Sequence, residues 1–292
     1  MTKRFYPVLL FLTLISMSTA ITGAEKAQVQ HTEHIYKIVD DTELIIHTFT
    51  IENATEETPK SAIVFIHGGG WASGEPSVFF AACKRYASMG FATFSVQYRL
   101  AENKRGDIPS PKLTPIECVL DVRSAMRWVR SHSKDFNIDP QKIVVGGHSV
   151  GGQLTLATAL FDSINEASDD LSVSPIPNGM LLYSGTPDTI EAWCDYLLAD
   201  RRQQIWTISP AHNVRPEMPP AIAFHGKSDH VVPFWKVRRL SGFMKKADNY
   251  FELHAYENRE HYLGKGDDTY SEILDDEILE KTDAFLRKFG FM

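Results

Sequence analysis

Cysteine is scarce in this 292-residue chain: Cys83, Cys118 and Cys194 lie far apart, and none forms a CxxC pair. At most one bridge could form, which excludes a disulfide framework, and a CxxC redox centre is excluded as well. None of the eleven histidines falls in an HExxH pattern or beside a cysteine, so linear spacing points to no metal. Internal repeats and low-complexity tracts are missing, which excludes repeat architectures. Basic charge is in deficit, with a net charge of −7, and an acidic surface argues against nucleic acid or an anionic membrane as partner.

Long apolar runs are missing too. The one apolar stretch, Tyr6 to Met17, is shorter than the roughly 20 residues that span a bilayer. Lys3 and Arg4 precede it. Small residues follow it, with Ser18 and Ala20, or Thr22 and Ala24, at the −3 and −1 positions. This reads as a signal peptide over residues 1–24, cleaved after Ala20 or Ala24, and a retained N-terminal anchor is the other reading. The first reading implies a secreted or periplasmic protein with no stable membrane insertion after cleavage.

What remains, residues 25–292, has ordinary globular composition, with 43% hydrophobic and 23% charged residues, and suits a single domain. "HIYKIV" and "ELIIHTFTI" read as a strand hairpin across "DDT". "SAIVFIHGG", "FATFSVQYRL", "KIVVGG", "GMLLYSG" and "PAIAFHG" are continuous apolar runs, the signature of strands buried on both faces, and "YFELHAYE" is a later strand. Helical stretches separate them. The longest opens at Thr114-Pro115, a cap residue followed by proline, and carries Val119, Val122, Met126 and Val129 on one face. Another helical stretch is predicted around residues 77 to 89, and "SEILDDEILEKTDAFLRKFG" closes the chain. The pattern predicts an α/β fold with a mostly parallel sheet of about eight strands and helices on both faces. In such sheets the chemistry gathers beyond the carboxyl ends of the strands.

Two glycine motifs sit at those ends. Gly147-His148-Ser149-Val150-Gly151 is G-x-S-x-G between a strand and a helix-compatible segment, the context of a strained, exposed nucleophilic serine. His67-Gly68-Gly69-Gly70-Trp71 follows "SAIVFI". Glycines there turn backbone N–H groups toward a developing oxyanion, together with the N–H of Val150, the residue after the serine. Downstream, in the order such a triad needs, come Asp229 in "GKSDHVV" and His261 in "REHYLG". An unassisted serine hydroxyl is a poor nucleophile, so His261 would serve as base and Asp229 would fix its tautomer. His225 and His230 lie too close to Asp229 along the chain to reach the serine from a separate loop. Asp195 reads as a surface or cap residue, and Glu257 and Glu260 as solvated. Cys83 and Cys118 read as buried thiols. His148 and Trp71, within the glycine motifs, are candidate substrate contacts.

With these residues in place the chain resembles the α/β-hydrolases of the hormone-sensitive-lipase and bacterial acetyl-esterase type, the HGGG-type carboxylesterases. The resemblance runs from about residue 60 to the C-terminus. It rests on "HGGGW", "QYRL", "DVRSAMRWVR", "FNIDPQKIVVGGHSVGG", "SPAHNV", "PPAIAFHGKSDHVVPF" and "REHYLG". It implies oxyanion donation from Gly69, Gly70 and Val150, no cofactor, and hydrolysis of short acyl esters through an acyl-enzyme. Val150 departs from the alanine usual in the family, which would narrow the acyl side of the pocket. Too few residues precede His67 for a helical cap, leaving a minimal cap-like insertion near 186–212 whose Trp193 and Trp206 either stack on substrate or pack. A nearly uncapped site resembles exported esterases that remove acetyl or feruloyl groups from carbohydrates, so a small-molecule or carbohydrate ester is the expected partner. A serine peptidase of the prolyl-oligopeptidase type is the enzymatic alternative, disfavoured because no propeller precedes the hydrolase. An inactive hydrolase-like binding module is the alternative of another class. Nothing in the sequence fixes an oligomeric state.

Overall fold

A computed structural model describes residues 28–51, 58–103, 107–263 and 275–292. The signal-peptide reading falls on residues outside these. Among the described residues no helix is long and apolar enough to cross a membrane.

The expected hairpin forms from β1 (Val29–Val39) and β2 (Thr42–Ile51), paired antiparallel. Asp40 and Asp41 make the turn with φ of 46° and 63°, the left-handed pair that a two-residue turn needs to match strand twist. Then follow β3 (Lys60–Ile66), α1 (Phe80–Ala87), β4 (Ala92–Val96), α2 (Pro115–Ser131), β5 (Ile138–His148) and α3 (Val150–Leu160). The chain continues through β6 (Gly179–Tyr183), α4 (Ala192–Leu198), β7 (Ala221–Gly226), α5 (Phe234–Lys246), β8 (Phe251–Tyr256) and α6 (Asp276–Lys288). The helical stretch predicted around 77 to 89 is a 3₁₀ turn, Pro76–Phe79, running into α1.

One eight-stranded sheet results, in the order β1-β2-β4-β3-β5-β6-β7-β8, parallel from β4 to β8. Every residue of β4, β6 and β7 is buried, which is why these strands read as unbroken apolar runs: helices cover both faces. The two faces carry separate apolar clusters. One holds Phe49, Phe65, Phe79, Phe224 and Phe285; the larger one holds Val64, Val145, Val122, Leu154 and Leu240.

α2 starts as its sequence predicts. Thr114 caps it, its hydroxyl accepting from the Ile116 N–H, while the Glu117 carboxylate reaches back to the Thr114 N–H at 2.8 Å, a reciprocal capping box. A buried ion network fastens this helix to the sheet. Asp121, fully buried, accepts from Lys37 Nζ at 2.7 Å, from Arg99 Nη2 at 2.7 Å and from the Arg99 backbone N–H at 2.9 Å.

Candidate active site

β5 ends at His148 and α3 begins at Val150, so Ser149 alone makes the corner between them. Its φ is 56° and ψ −121°, a region that costs a non-glycine residue about 1–3 kcal/mol. A serine at a helix N-cap ordinarily accepts a hydrogen bond from the first turn; Ser149 makes no such bond, so its hydroxyl is not spent on capping. The corner is tight on the helix side. A Cβ on Gly151 would lie 2.0 Å from the Ile66 carbonyl oxygen, which only glycine permits.

The HGGG segment leaves β3 beside this corner. A Cβ on Gly68 would stand 3.1 Å from Ser149 Cβ, so the loop's backbone runs directly against the serine. Its carbonyls are turned away by named partners. The Gly68 oxygen accepts from His67 Nδ1 at 2.8 Å and from the Tyr98 hydroxyl at 3.3 Å. The Gly69 oxygen accepts from the N–H groups of Ala72 and Ser73 and from Ser73 Oγ. In a trans peptide the next N–H points opposite to the carbonyl, so the N–H groups of Gly69 and Gly70 face away from those partners. Gly69 holds φ 116°, a value natural only to glycine. Val150 opens α3, and its N–H is among those a helix leaves without an intrahelical acceptor.

Asp229 and His261 arrive from the loops after β7 and β8. His261 Nδ1 lies 2.8 Å from Asp229 Oδ2, and Asp229 Oδ1 accepts from the N–H groups of Val231 at 2.9 Å and Val232 at 2.7 Å. Burial by itself would raise the carboxyl's pKa. Hydrogen bonds from His225 and His261, with the Val232 N–H, outweigh it and hold Asp229 well below the usual carboxylate range. An ionised Asp229 accepts a hydrogen bond from Nδ1–H of His261, which keeps the proton on Nδ1 and leaves Nε2 of the neutral ring as an acceptor. The His261 ring stands 4.8 Å from that of His148, the residue before Ser149, and the His261 carbonyl accepts from His148 Nε2 at 3.1 Å. The three chain segments thus converge at the carboxyl ends of β5, β7 and β8.

Two expected substrate contacts are corrected. His148 is fully buried, sandwiched by Tyr262 at 5.3 Å and by the His261 loop, and burial lowers its pKa to about 3. Trp71 is 1% exposed and spends its indole N–H on Gln153 Oε1 at 3.1 Å. Both side chains support loops, because the strand end and the helix packing turn them inward. Trp193 remains half exposed, and its indole N–H donates to the Gly70 carbonyl at 3.0 Å. Trp206 is more exposed and packs edge-on against His212. The Val150 side chain is buried in the larger apolar cluster.

Sequence reading missed three supports. Tyr98, within "QYRL", bonds the carbonyls of both His67 and Gly68 and stacks on His67 at 4.2 Å. Gln153 ties the HGGG loop to the 186–212 insertion, accepting from Trp71 and donating to the Ile208 carbonyl at 2.9 Å. His225 places Nε2 3.3 Å from Asp229 Oδ2 and 2.8 Å from the Val232 carbonyl. The signal for His225 was its place on the strand just ahead of the acid. A cavity of about 850 Å³ lies behind the HGGG loop, lined by His67, Gly74, Glu75, Tyr98 and Arg99, while Ser149 does not line it.

A strained serine corner beside a glycine-rich loop, with an Asp–His pair from later strands, defines an α/β-hydrolase. Comparison with known proteins agrees. Residues 50–177 match a family model described as BD-FAE. Esterase LipC of Mycobacterium tuberculosis is 26% identical over 218 residues, 67% of this chain and 52% of LipC. The chain therefore spans about half the length of that curated relative. The structure of Thermogutta terrifontis esterase 2 phosphoramylated by tabun superposes with a TM-score of 0.79 at 31% identity, covering 90% of this chain and 96% of that one. The same esterase with butyrate bound gives a TM-score of 0.77 at 31% identity, covering 91% and 95%. The chain belongs to the HGGG-type carboxylesterase family of the α/β-hydrolase fold.

Proposed function

We propose that this protein is a serine carboxylesterase hydrolysing short acyl esters, and the Asp229–His261 bond beside the strained, uncapped Ser149 carries that reading. Ser149 Oγ attacks the ester carbonyl carbon as His261 Nε2 takes its proton, and the carbonyl oxygen becomes the oxyanion. The N–H groups of Gly69, Gly70 and Val150 bind that charge where it develops, each donor supplying about 3–4 kcal/mol of barrier lowering. The tetrahedral adduct collapses, the C–O bond to the alcohol breaks, and His261 returns its proton to the departing oxygen. Water then attacks the acyl-serine by the same route and releases the carboxylic acid. Asp229 stays ionised throughout and stabilises the imidazolium.

Short acyl groups are favoured by one observation: the related esterase was solved with butyrate bound. For the alcohol side we propose acetylated or feruloylated carbohydrate, with the half-exposed Trp193 at the mouth as the surface on which a sugar ring would stack. Residues 1–24 would direct export to the periplasm or beyond. The test is hydrolysis of p-nitrophenyl esters of graded chain length by wild type and Ser149→Ala. Loss of at least about 10⁴-fold in kcat in the variant, with rates falling beyond butyrate, is expected. Undiminished turnover by the variant, or equal rates on long chains, overturns the respective part. Cleavage of peptide anilides without ester hydrolysis would favour the peptidase reading.

A further inference from the structure

The β1–β2 hairpin carries a cluster that has no part in ester chemistry. In the antiparallel register Glu33 stands opposite His47, and His31 opposite Phe49. With side chains alternating between faces along each strand, His31, Glu33 and His47 share one face. His31 Nε2 lies 3.1 Å from His47 Nδ1, and His47 Nδ1 lies 3.3 Å from Glu33 Oε1. All three ligand atoms fall within 4.8 Å of one another.

We infer that His31 Nε2, His47 Nδ1 and Glu33 Oε1 form a binding site for a divalent transition-metal ion of the zinc type. Metal–nitrogen and metal–oxygen bonds of about 2.0–2.1 Å, arranged tetrahedrally, set their donor atoms about 3.3 Å apart. Two edges of the cluster already have that length, so the third ligand needs only a small rotation to close the set, and water completes the fourth position. Two imidazoles with one carboxylate suit zinc and the neighbouring late first-row ions rather than calcium or magnesium, which prefer oxygen. The rings are held in place beforehand. His31 stacks on Phe49 at 4.3 Å, nearly parallel to it, and Phe80 of α1 packs against both His31 and His47.

The ion would join the edge strand β1 to β2, which β4 and β3 separate from β5 and the serine. Linear spacing hid the site because its ligands come from facing strands. Isothermal titration of the purified full-length protein with ZnCl₂ tests it, alongside His31→Phe/Glu33→Gln, in which phenylalanine keeps the stack on Phe49. One equivalent of Zn²⁺ is expected to bind wild type and raise its Tm. The double variant should bind at least 100-fold more weakly, with no Tm rise and unchanged metal-free ester hydrolysis. Co²⁺ should give wild type, but not the variant, the visible absorption of a tetrahedral site. Equal zinc affinity in the two proteins, or no binding by wild type, overturns the assignment.

Discussion

Trp193 donates its indole N–H to the carbonyl of Gly70 across 3.0 Å, so a residue of the 186–212 insertion holds the peptide that follows the proposed oxyanion donors. Replacing it with phenylalanine keeps a ring and removes the bond, whose net worth is about 1 kcal/mol. Trp193→Phe should lower kcat for p-nitrophenyl acetate by about 5-fold, with KM little changed. A loss in KM alone would assign Trp193 to substrate binding instead.

Asp229→Asn should preserve the fold, since Oδ1 keeps the two valine N–H groups. It removes the charge that fixes the His261 tautomer, and kcat should fall by about 10⁴-fold. Circular dichroism and turnover on the same preparation check both halves.

Stability should fall on mild acidification. Burial lowers the pKa of His67 from 6.5 to about 4 and that of His148 from 6.5 to about 3. Both rings stay neutral in the fold while the unfolded chain takes up protons below pH 6.5. Their stability is complete above 6.5 and is lost as pH falls toward the folded values, about 2 kcal/mol for each between pH 6.5 and 4.5. Asp229, likewise held below its ordinary 3.8, loses its contribution only as pH falls below that value. Urea midpoints at pH 7 and 4.5 measure the slope. His67→Asn and His148→Gln, which keep the donated hydrogen bonds, should each reduce it.

Asp121→Ala would leave Lys37 and Arg99 beside a buried gap with only the less buried Glu166 as a carboxylate partner. Breaking such a network by removing one partner costs about 3–5 kcal/mol. Denaturant unfolding should show that loss, far more than for Lys227→Ala, whose partner Glu257 is exposed.

The order of the site was legible because strand ends are marked in sequence: apolar runs stop at Ile66, His148 and Gly226, and the chemistry follows each stop. The direction of individual side chains was not. His148 and Trp71 sit inside the motifs, yet strand alternation and helix packing turn both inward, and no local pattern distinguishes a ring facing a ligand from one facing Tyr262 or Gln153. Gln153 looked like an ordinary helical residue, since its two partners, Trp71 and Ile208, are remote in sequence. The number of strands and the N-terminal hairpin followed from periodicity alone. The inter-strand ligand cluster did not, because pairing register has no signature in a single strand.

Ser149 is, for the fold, the wrong residue in the wrong conformation. It holds a positive φ at a helix start and contributes no cap. Glycine would relax the corner and lose nothing there. Ser149→Gly should therefore be both inactive and harder to unfold than wild type, so that heating alone would enrich the dead variant from a mixture. A molecule that served only as a scaffold would have no use for that instability.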